Sequence, residues 1–404
     1  MELPIKRSNN LSVSGECILA INGGSSSIKF ALYDIETLGL PLLHGSLKNI
    51  GVNTRLEYSN NGMDERNDLR LKDESFETVI AFLTGWIERQ KHSRTITAIG
   101  HRIVHGMDHH EPEVVTSELL QLLKKITAYD PEHLPAEIEL IIQFGKRFPK
   151  AKQVACFDTS FHMSMPLISK LLPIPRRFFS RGIQRYGFHG ISYEYLMSEL
   201  NRLELRATAK QRVILAHLGS GSSLAAVKNN VSIETTMGFT PSSGVMMGTR
   251  TGDIDPGLAL YLLQSEKLTL GQFGNLINQQ SGLLGISEIS SDMPELLTQA
   301  KKDHQAAEAI DLYCYQLKKA IGSLSAVLGG LDTLVFSGGI GENSPQIRKQ
   351  ICHGLEFLNI ELDEEMNSKN NDTISTNSRG VLVRVIKTNE ELLIARKVFE
   401  VLNS

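Results

Sequence analysis

The sequence predicts an α/β chain built from two similar halves. Strand-like apolar runs alternate with helix-spaced segments along its length. Two well-separated stretches repeat one pattern: an apolar strand, a Gly/Ser turn and a second strand. Strand exits at Gly23, Gly219 and Gly338 are all rich in glycine.

The first repeat, Ile18 to Tyr33, reads ILAINGGSSSIKFALY. Its opening run reads as a buried strand, as short apolar runs bounded by glycine usually do. Gly23 and Gly24 permit positive φ and a tight turn with bare backbone N–H groups. Ser25, Ser26, Ser27 and Lys29 follow. N–H donors beside hydroxyls and an ammonium suit an anion such as a phosphate. An ordinary hairpin with a small-residue turn is the alternative. The second repeat, Val213 to Lys228, reads VILAHLGSGSSLAAVK. Ile18-Leu19-Ala20 falls on Ile214-Leu215-Ala216, Gly23 on Gly219, and Ser26-Ser27 on Ser222-Ser223. Two such units imply two similar domains, each offering a phosphate turn. If the domains face one another, the turns face across one cleft.

At 404 residues the chain is long enough for two or three domains. Its net charge of -3 implies no polyanion partner, so nucleic acid is not expected. Hydrophobic content of 41% and charged content of 22% are those of a soluble globular protein. No apolar run approaches the roughly 20 residues of a membrane span, so no membrane partner is expected. The N-terminal MELPIKRSNNLSVSGE has no apolar h-region and reads as a short, loose extension, not a signal peptide. Cys17, Cys156, Cys314 and Cys352 lack metal-ligand spacing and read as reduced core residues of a cytoplasmic protein.

Along the chain, a polar stretch from Lys48 to Asp73 suggests exposed strands and loops, and Phe76 to Glu88 has helical spacing. Ile96 to Gly100 reads as a strand leading to Arg102 and a Gly turn. A helix is expected from Ser117, its cap, to Ala128. Tyr129 to Pro135 reads as a loop and Ala136 to Phe148 as an amphipathic helix. The strand Gln153 to Phe157 delivers Asp158 at its carboxyl end, where sites in open α/β sheets collect. Pro166 to Arg177 looks like a connection and a domain boundary. A helix from about Ser192 to Leu203 follows His189. Gly238 to Gly257, punctuated by glycine and carrying Arg250, looks like a built site. Helices dominate from Leu258 to Leu328. A strand at Thr333 to Phe336 ends in a Gly-rich turn, with a helix starting near Pro345. Val381 to Ile386 is the last strand, followed by a terminal helix.

G-x-x-x-x-G-K-[ST] is absent, which excludes a P-loop, and no G-x-G-x-x-G follows a strand. Arg102, Arg250, Asp158, His189 and Glu390 lie near strand ends or in Gly loops. Phosphoryl transfer needs such a kit: cations around the moving group, a carboxylate for a metal, and backbone amides on the nucleotide. Two arginines can also grip a carboxylate in bidentate fashion. Each residue alone has a plainer reading. A strand-end Arg makes surface ion pairs, Asp158 forms a turn, His189 bonds backbone, and Glu390 meets a helix dipole. Their co-occurrence favours a site.

The motifs identify a resemblance over nearly the whole chain from about Cys17. They are Asn22-x-Gly-Ser-Ser-Ser-x-Lys29, Gly100-His-Arg-Ile-Val-His-Gly106, Phe157-Asp-Thr-x-Phe-His162, Arg185-Tyr-Gly-Phe-His-Gly190, His217-Leu-Gly-x-Gly-Ser-Ser223, Met237-Gly-Phe-Thr-Pro241, Met247-Gly-Thr-Arg250, Gly338-Gly-Ile-Gly-Glu-Asn343 and Thr388-Asn-Glu-Glu391. In this order they resemble the acetate kinase family of the actin/sugar kinase/Hsp70 superfamily. The resemblance implies two actin-like (ribonuclease H-like) α/β domains around an interdomain cleft, in a homodimer. The expected division is an extension at 1–15, an N-terminal domain of 16–160 plus 388–404 on the acyl and phosphate side, and a nucleotide-side domain of 161–387. It implies Mg²⁺- (or Mn²⁺-) dependent, reversible in-line transfer from ATP to acetate, giving ADP and acetyl phosphate. By motif, Arg102 and Arg250 should hold the acyl carboxylate and the transferring phosphoryl group. His189 should stabilise the transition state, and Asp158 should position or neutralise the reacting centre. Asn22 and Glu390 should help hold the metal. Ser25, Ser27 and Lys29 should line the phosphate side. His217, Gly219, Ser220 and Gly221 should meet the nucleotide phosphates, and Gly339, Gly341 and Asn343 the adenosine. Val104, Phe188 and Pro241 should form the acyl pocket.

Two positions depart from the family. Ser220 stands where Asn is usual, so one phosphate contact is lost or passes through water. Glu132 stands where a Leu usually lines the acyl pocket. A carboxylate there is costly unless paired or turned outward, and it would repel a carboxylate substrate. Propionate or another short-chain carboxylate is therefore the alternative acceptor. A nucleotide-binding actin-like protein with little or no transfer activity is the alternative of another class. The presence of Arg102, Asp158, His189 and Arg250 speaks against it.

Overall fold

The structure, a computed structural model, describes residues 15–24, 27–51, 53–60, 67–71, 75–90, 94–203, 211–376 and 380–404. Ser25, Ser26 and residues 1–14 of the expected extension lie outside the described residues. The chain divides into two compact units, Met1–Ile103 with Glu111–Cys156 and Glu390–Ser404, and Val104–His110 with Phe157–Asn389. The second unit takes in Val104–His110 from between the two larger segments of the first.

The first unit holds a sheet of β1 (Glu16–Gly23), β2 (Ser27–Asp34), β3 (Leu43–Lys48), β4 (Arg55–Asn60), β5 (Asn67–Arg70), β6 (Thr95–Ile103), β7 (Glu113–Val114) and β8 (Lys152–Phe157), in the order β5-β4-β3-β2-β1-β6-β8-β7. β1 pairs antiparallel with β2 and parallel with β6. Its residues Cys17 to Ile21 are fully buried, because helices cover a sheet whose central strand must then be apolar on both faces. Leu140 and Phe144, from the helix Leu134–Arg147, join β1 and Trp86 in the core. On the helix Glu390–Asn403, Ile394 and Val398 approach Gly100 so closely that a Cβ there would collide with both.

The second unit holds β9 (Arg212–Leu218), β10 (Ser222–Lys228), β11 (Val231–Thr235), β12 (Thr333–Ser337) and β13 (Leu382–Val385), in the order β11-β10-β9-β12-β13. β9 pairs antiparallel with β10 and parallel with β12. This repeats the arrangement around β1, so the sequence repeat is a repeat of sheet topology. The helix His304–Leu328 packs Tyr313, Leu317, Ile321 and Leu324 into this core. Its start is capped by the Asp303 side chain, and it ends at Gly329 in the left-handed region.

Some local expectations change. Thr116, not Ser117, caps the helix Ser117–Lys125, its side chain accepting from Leu119 N at 3.2 Å, and a 3₁₀ turn then runs from Ile126 to Tyr129. The expected loop to Pro135 already turns helical at Leu134. The Gly-rich exit of β12 is itself a short helix, Gly338–Asn343. Gly23 is not in the left-handed region; a Cβ there would meet the tip of the Leu140 side chain, which would have to shift. All four cysteines are buried. Burial pushes the Cys17 thiol up to about 11, and those of Cys314 and Cys352 up to about 12. No helix among the described residues is long and apolar enough to cross a membrane.

Two buried histidines couple the fold to pH. His101 Nε2 lies 2.7 Å from Gln153 Oε1, while its Nδ1 is buried without a hydrogen-bond partner among the described residues. His162 spans Ser232 Oγ at 2.8 Å and the Phe188 carbonyl at 3.1 Å. Burial lowers each to about 4. Both must be neutral in the fold but charge readily once unfolded, near pH 6.5. Their stabilisation is complete above that pH and is lost as pH falls towards 4. Going from pH 7 to pH 5 should cost about 2 kcal/mol per histidine, read as a fall in Tm. His101→Gln should flatten this slope, and an unchanged slope would contradict the assignment.

Candidate functional site

Asp158 follows β8 directly and is 1% exposed. Its Oδ2 accepts from His189 N at 2.8 Å, its Oδ1 from Ile191 N at 3.2 Å, and its carbonyl from Gly190 N at 2.8 Å. These bonds secure the first turn of the helix Gly190–Leu203 and hold His189 at φ 60°, where a non-glycine residue is uncommon and needs support.

His189 Nδ1 lies 2.8 Å from Ser223 Oγ, which lies 2.5 Å from the Tyr193 hydroxyl. His217 Nδ1 lies 2.8 Å from Ser192 Oγ, which lies 2.9 Å from Thr388 Oγ1. The two imidazoles overlap at 4.4 Å between centroids. Their Nε2 atoms are directed at the turn between β9 and β10. A Cβ on Gly221 would sit 3.2 Å from His189 Nε2 and 3.6 Å from Arg250 Nη1; one on Gly219 would sit 3.7 Å from His217 Nε2. The structure thus brings His189, His217, Arg250, Gly219 and Gly221 together. Arg250 Nη1 donates to the Pro241 carbonyl at 3.1 Å, and Gly248 N to the Ser220 carbonyl at 3.1 Å, tying the Arg250 loop to the tip of the turn. The Ser220 side of that tip is exposed.

Val104 and Phe188 lie in one buried apolar cluster with Tyr186, Met237 and Met247. Pro241 is also buried. β9 and β12 run parallel with His217 opposite Ser337, so their glycine-rich exits adjoin. A Cβ on Gly219 would be 4.0 Å from Gly339 N. Gly338 has φ 77°, and a Cβ there would lie 2.6 Å from the Leu218 carbonyl oxygen, so only glycine fits. Glu342 Oε1 accepts from Gly338 N at 2.9 Å and Thr388 N at 3.1 Å. Asn343 Nδ2 donates to the Gly339 carbonyl at 3.0 Å. Fully buried Arg348 donates to the Gly341 carbonyl at 2.8 Å and to Asn367 Oδ1 at 2.8 Å, fastening this short helix from beneath. Burial lowers its guanidinium to about 10.

The first unit carries a separate polar group. Asn22 Nδ2 donates to Glu390 Oε2 at 2.5 Å and to Glu391 Oε1 at 3.1 Å. Asn22 stands opposite Lys29 across the β1–β2 pair. The Glu391 carboxyl is raised, by burial first, against the pull of Lys29 and with the push of Glu390. Ser27 is exposed and its carbonyl accepts from Gly24 N at 2.9 Å; Ser25 lies outside the described residues. Arg102 is half-buried on β6. Glu132 is exposed, whereas its neighbour Leu134 is fully buried.

Two neighbouring carboxylates, one of them the raised Glu391, beside the Asn22 amide suit a divalent cation. Among the described residues no group of three or more His, Cys, Asp or Glu side chains could hold a metal. A cation held there would need most of its oxygen ligands from outside these residues.

Two sheets of matched topology, Gly-rich strand exits and a His–Arg pair at one of them define a phosphotransferase of actin-like α/β fold. Residues 17–396 match the Acetokinase family, and the chain belongs to it. An acetate kinase of Rhodopseudomonas palustris is 40% identical over 391 residues, covering 95% of this chain and 98% of that one. An acetate kinase of Rickettsia akari is 40% identical over 389 residues, covering 96% and 100%. Among solved structures, a propionate kinase from Francisella tularensis superposes with a TM-score of 0.88 at 36% identity, covering 95% of this chain and 99% of that one. Porphyromonas gingivalis acetate kinase superposes with a TM-score of 0.84 at 32% identity, covering 96% and 100%.

Ser192, Tyr193, Ser223, Glu342, Arg348 and Glu391 shape these sites yet carry no role in the sequence reading. All but Arg348 lie inside or within a few residues of a quoted motif, which was the available signal.

Proposed function

We propose that this chain transfers the γ-phosphoryl group of ATP to acetate, reversibly, giving ADP and acetyl phosphate. The observation that carries this reading is the approach of His189 Nε2 and Arg250 Nη1 to one small turn, next to the Gly338–Asn343 exit. An N–H donor and a guanidinium there suit a phosphoryl group that spreads charge over its equatorial oxygens. We assign His217, Gly219, Ser220 and Gly221 to the nucleotide phosphates and Gly339, Gly341 and Asn343 to the adenosine side. Asp158 acts on the reacting centre by fixing His189, since both its carboxylate oxygens accept backbone N–H groups. Arg102 takes the same class of role as Arg250, while Ser25, Ser27 and Lys29 line the phosphate side.

Asn22 and Glu390, backed by Glu391, would hold Mg²⁺, which when bound neutralises phosphate charge. Val104, Phe188 and Pro241 would receive the acyl methyl group, excluding water from it. The likeness to the acetate kinases of Rhodopseudomonas palustris and Rickettsia akari favours acetate. Propionate is the second reading, favoured by the likeness to the Francisella propionate kinase.

We also propose a homodimer. The helices Pro256–Gln264 and Leu270–Gln279 contain no buried residue, and Leu258, Leu260, Tyr261 and Leu270 are exposed. An apolar surface of this kind suits cover by a second copy, and light scattering should give twice the chain mass.

The transfer is tested in reverse. Acetyl phosphate and ADP with Mg²⁺ should yield ATP, read by luciferase. No ATP, with ADP binding intact, would contradict the reading.

A further inference from the structure

We propose that Tyr193 and Ser223 are positioning residues that keep the imidazole proton of His189 on Nε2, so that the ring offers an N–H donor to the group held at the Gly219–Gly221 turn. The nature of that group rests on the phosphoryl-transfer reading; the relay itself stands on geometry.

Tyr193 is fully buried, its ring edge-on to His162 at 5.6 Å. Burial raises its pKa far above that of an ordinary phenol, so it keeps its proton. Ser223 Oγ is the one hydrogen-bond partner of its hydroxyl among the described residues. The phenolic proton therefore goes to Ser223 Oγ, 2.5 Å away. Ser223, also fully buried, then sends its own proton to His189 Nδ1 at 2.8 Å. A neutral imidazole that accepts at Nδ1 must carry its proton on Nε2. Nε2 is the ring atom nearest the position a Gly221 Cβ would take. Asp158 fixes the His189 backbone, so the relay has one ring orientation to serve. Reversing it would require Tyr193 to accept from Ser223 and send its proton elsewhere in a fully buried site.

His217 supplies an internal contrast. Its Nδ1 faces Ser192, backed by Thr388 rather than by a tyrosine. Tyr193→Phe should therefore alter His189 and leave the His217 tautomer as it was.

The test is ¹⁵N imidazole NMR of the full chain, with the His189 signal assigned by its loss in His189→Gln. The wild type should show the Nε2–H tautomer. Tyr193→Phe keeps the buried ring and removes only the hydroxyl. It should populate both tautomers and lower kcat roughly 10-fold, with KM for nucleotide and acid within about twofold. Ser223→Ala should do the same more strongly, and the double variant should be no worse than Ser223→Ala alone. An Nδ1–H tautomer in the wild type, or a pure Nε2–H signal in Ser223→Ala, would overturn the proposal even if Tyr193→Phe failed to fold. A wild type with the Nε2–H tautomer but no phosphoryl transfer would instead sink the functional reading and leave the relay standing.

Discussion

Arg250→Ala should lower kcat by about 10³-fold, the scale on which an arginine at a transferring phosphoryl group acts. The guanidinium is held by the Pro241 carbonyl at 3.1 Å and lies close to where His189 Nε2 also points. The loop that carries it does not depend on the side chain. Arg250 accepts through its carbonyl from Met247 N at 3.0 Å, and Gly248 is tied to Ser220. The variant should therefore fold, melt close to the wild type and bind ATP within a few-fold. Arg250→Lys restores the charge without the planar fork and should recover only part of the loss. Steady-state turnover beside calorimetric ATP binding separates these effects. Undiminished turnover in Arg250→Ala would remove the role assigned to it, and the same holds for Arg102→Ala.

Asp158→Ala should damage both stability and rate. Two backbone N–H groups lose a charged acceptor inside a site where Asp158 is 1% exposed. Hydrogen bonds to charged groups contribute about 1.5–3 kcal/mol each, so a loss of roughly 3 kcal/mol is expected. His189 also loses the bond that holds it at φ 60°. Misplacing a catalytic group by about an ångström costs around 10²-fold, and kcat should fall by at least that. Asp158→Asn should be milder, because its amide oxygen still serves one N–H while its NH₂ opposes the other. A variant with unchanged melting temperature and turnover would mean that Asp158 neither secures His189 nor supports the fold.

The fold was readable because its signals are local. The apolar run of β1 and its copy in β9 have the pattern that strands covered on both faces require, and their glycines mark the exits. His189, His217 and Arg250, which the structure brings together, were candidates because each sits in a motif with glycine neighbours. What the sequence hid depends on side chains meeting across elements. Gly23 looked like a turn former, but it is not in the left-handed region and it faces the tip of Leu140 from a helix distant in sequence. Arg348 sits in an unremarked helix and shows its part only through the Gly341 carbonyl and Asn367 that it bonds. The serines behind His189 and His217 are ordinary hydroxyls until the helix Gly190–Leu203 packs beside β9 and β10.

The most direct test of the account is acyl phosphate formation from Mg²⁺-ATP, trapped with hydroxylamine, across formate, acetate, propionate and butyrate. Saturable product with acetate, lost on chelation of Mg²⁺ and lost in Arg250→Ala, is the predicted result. No product with any of the acids, while ATP still binds, would contradict it.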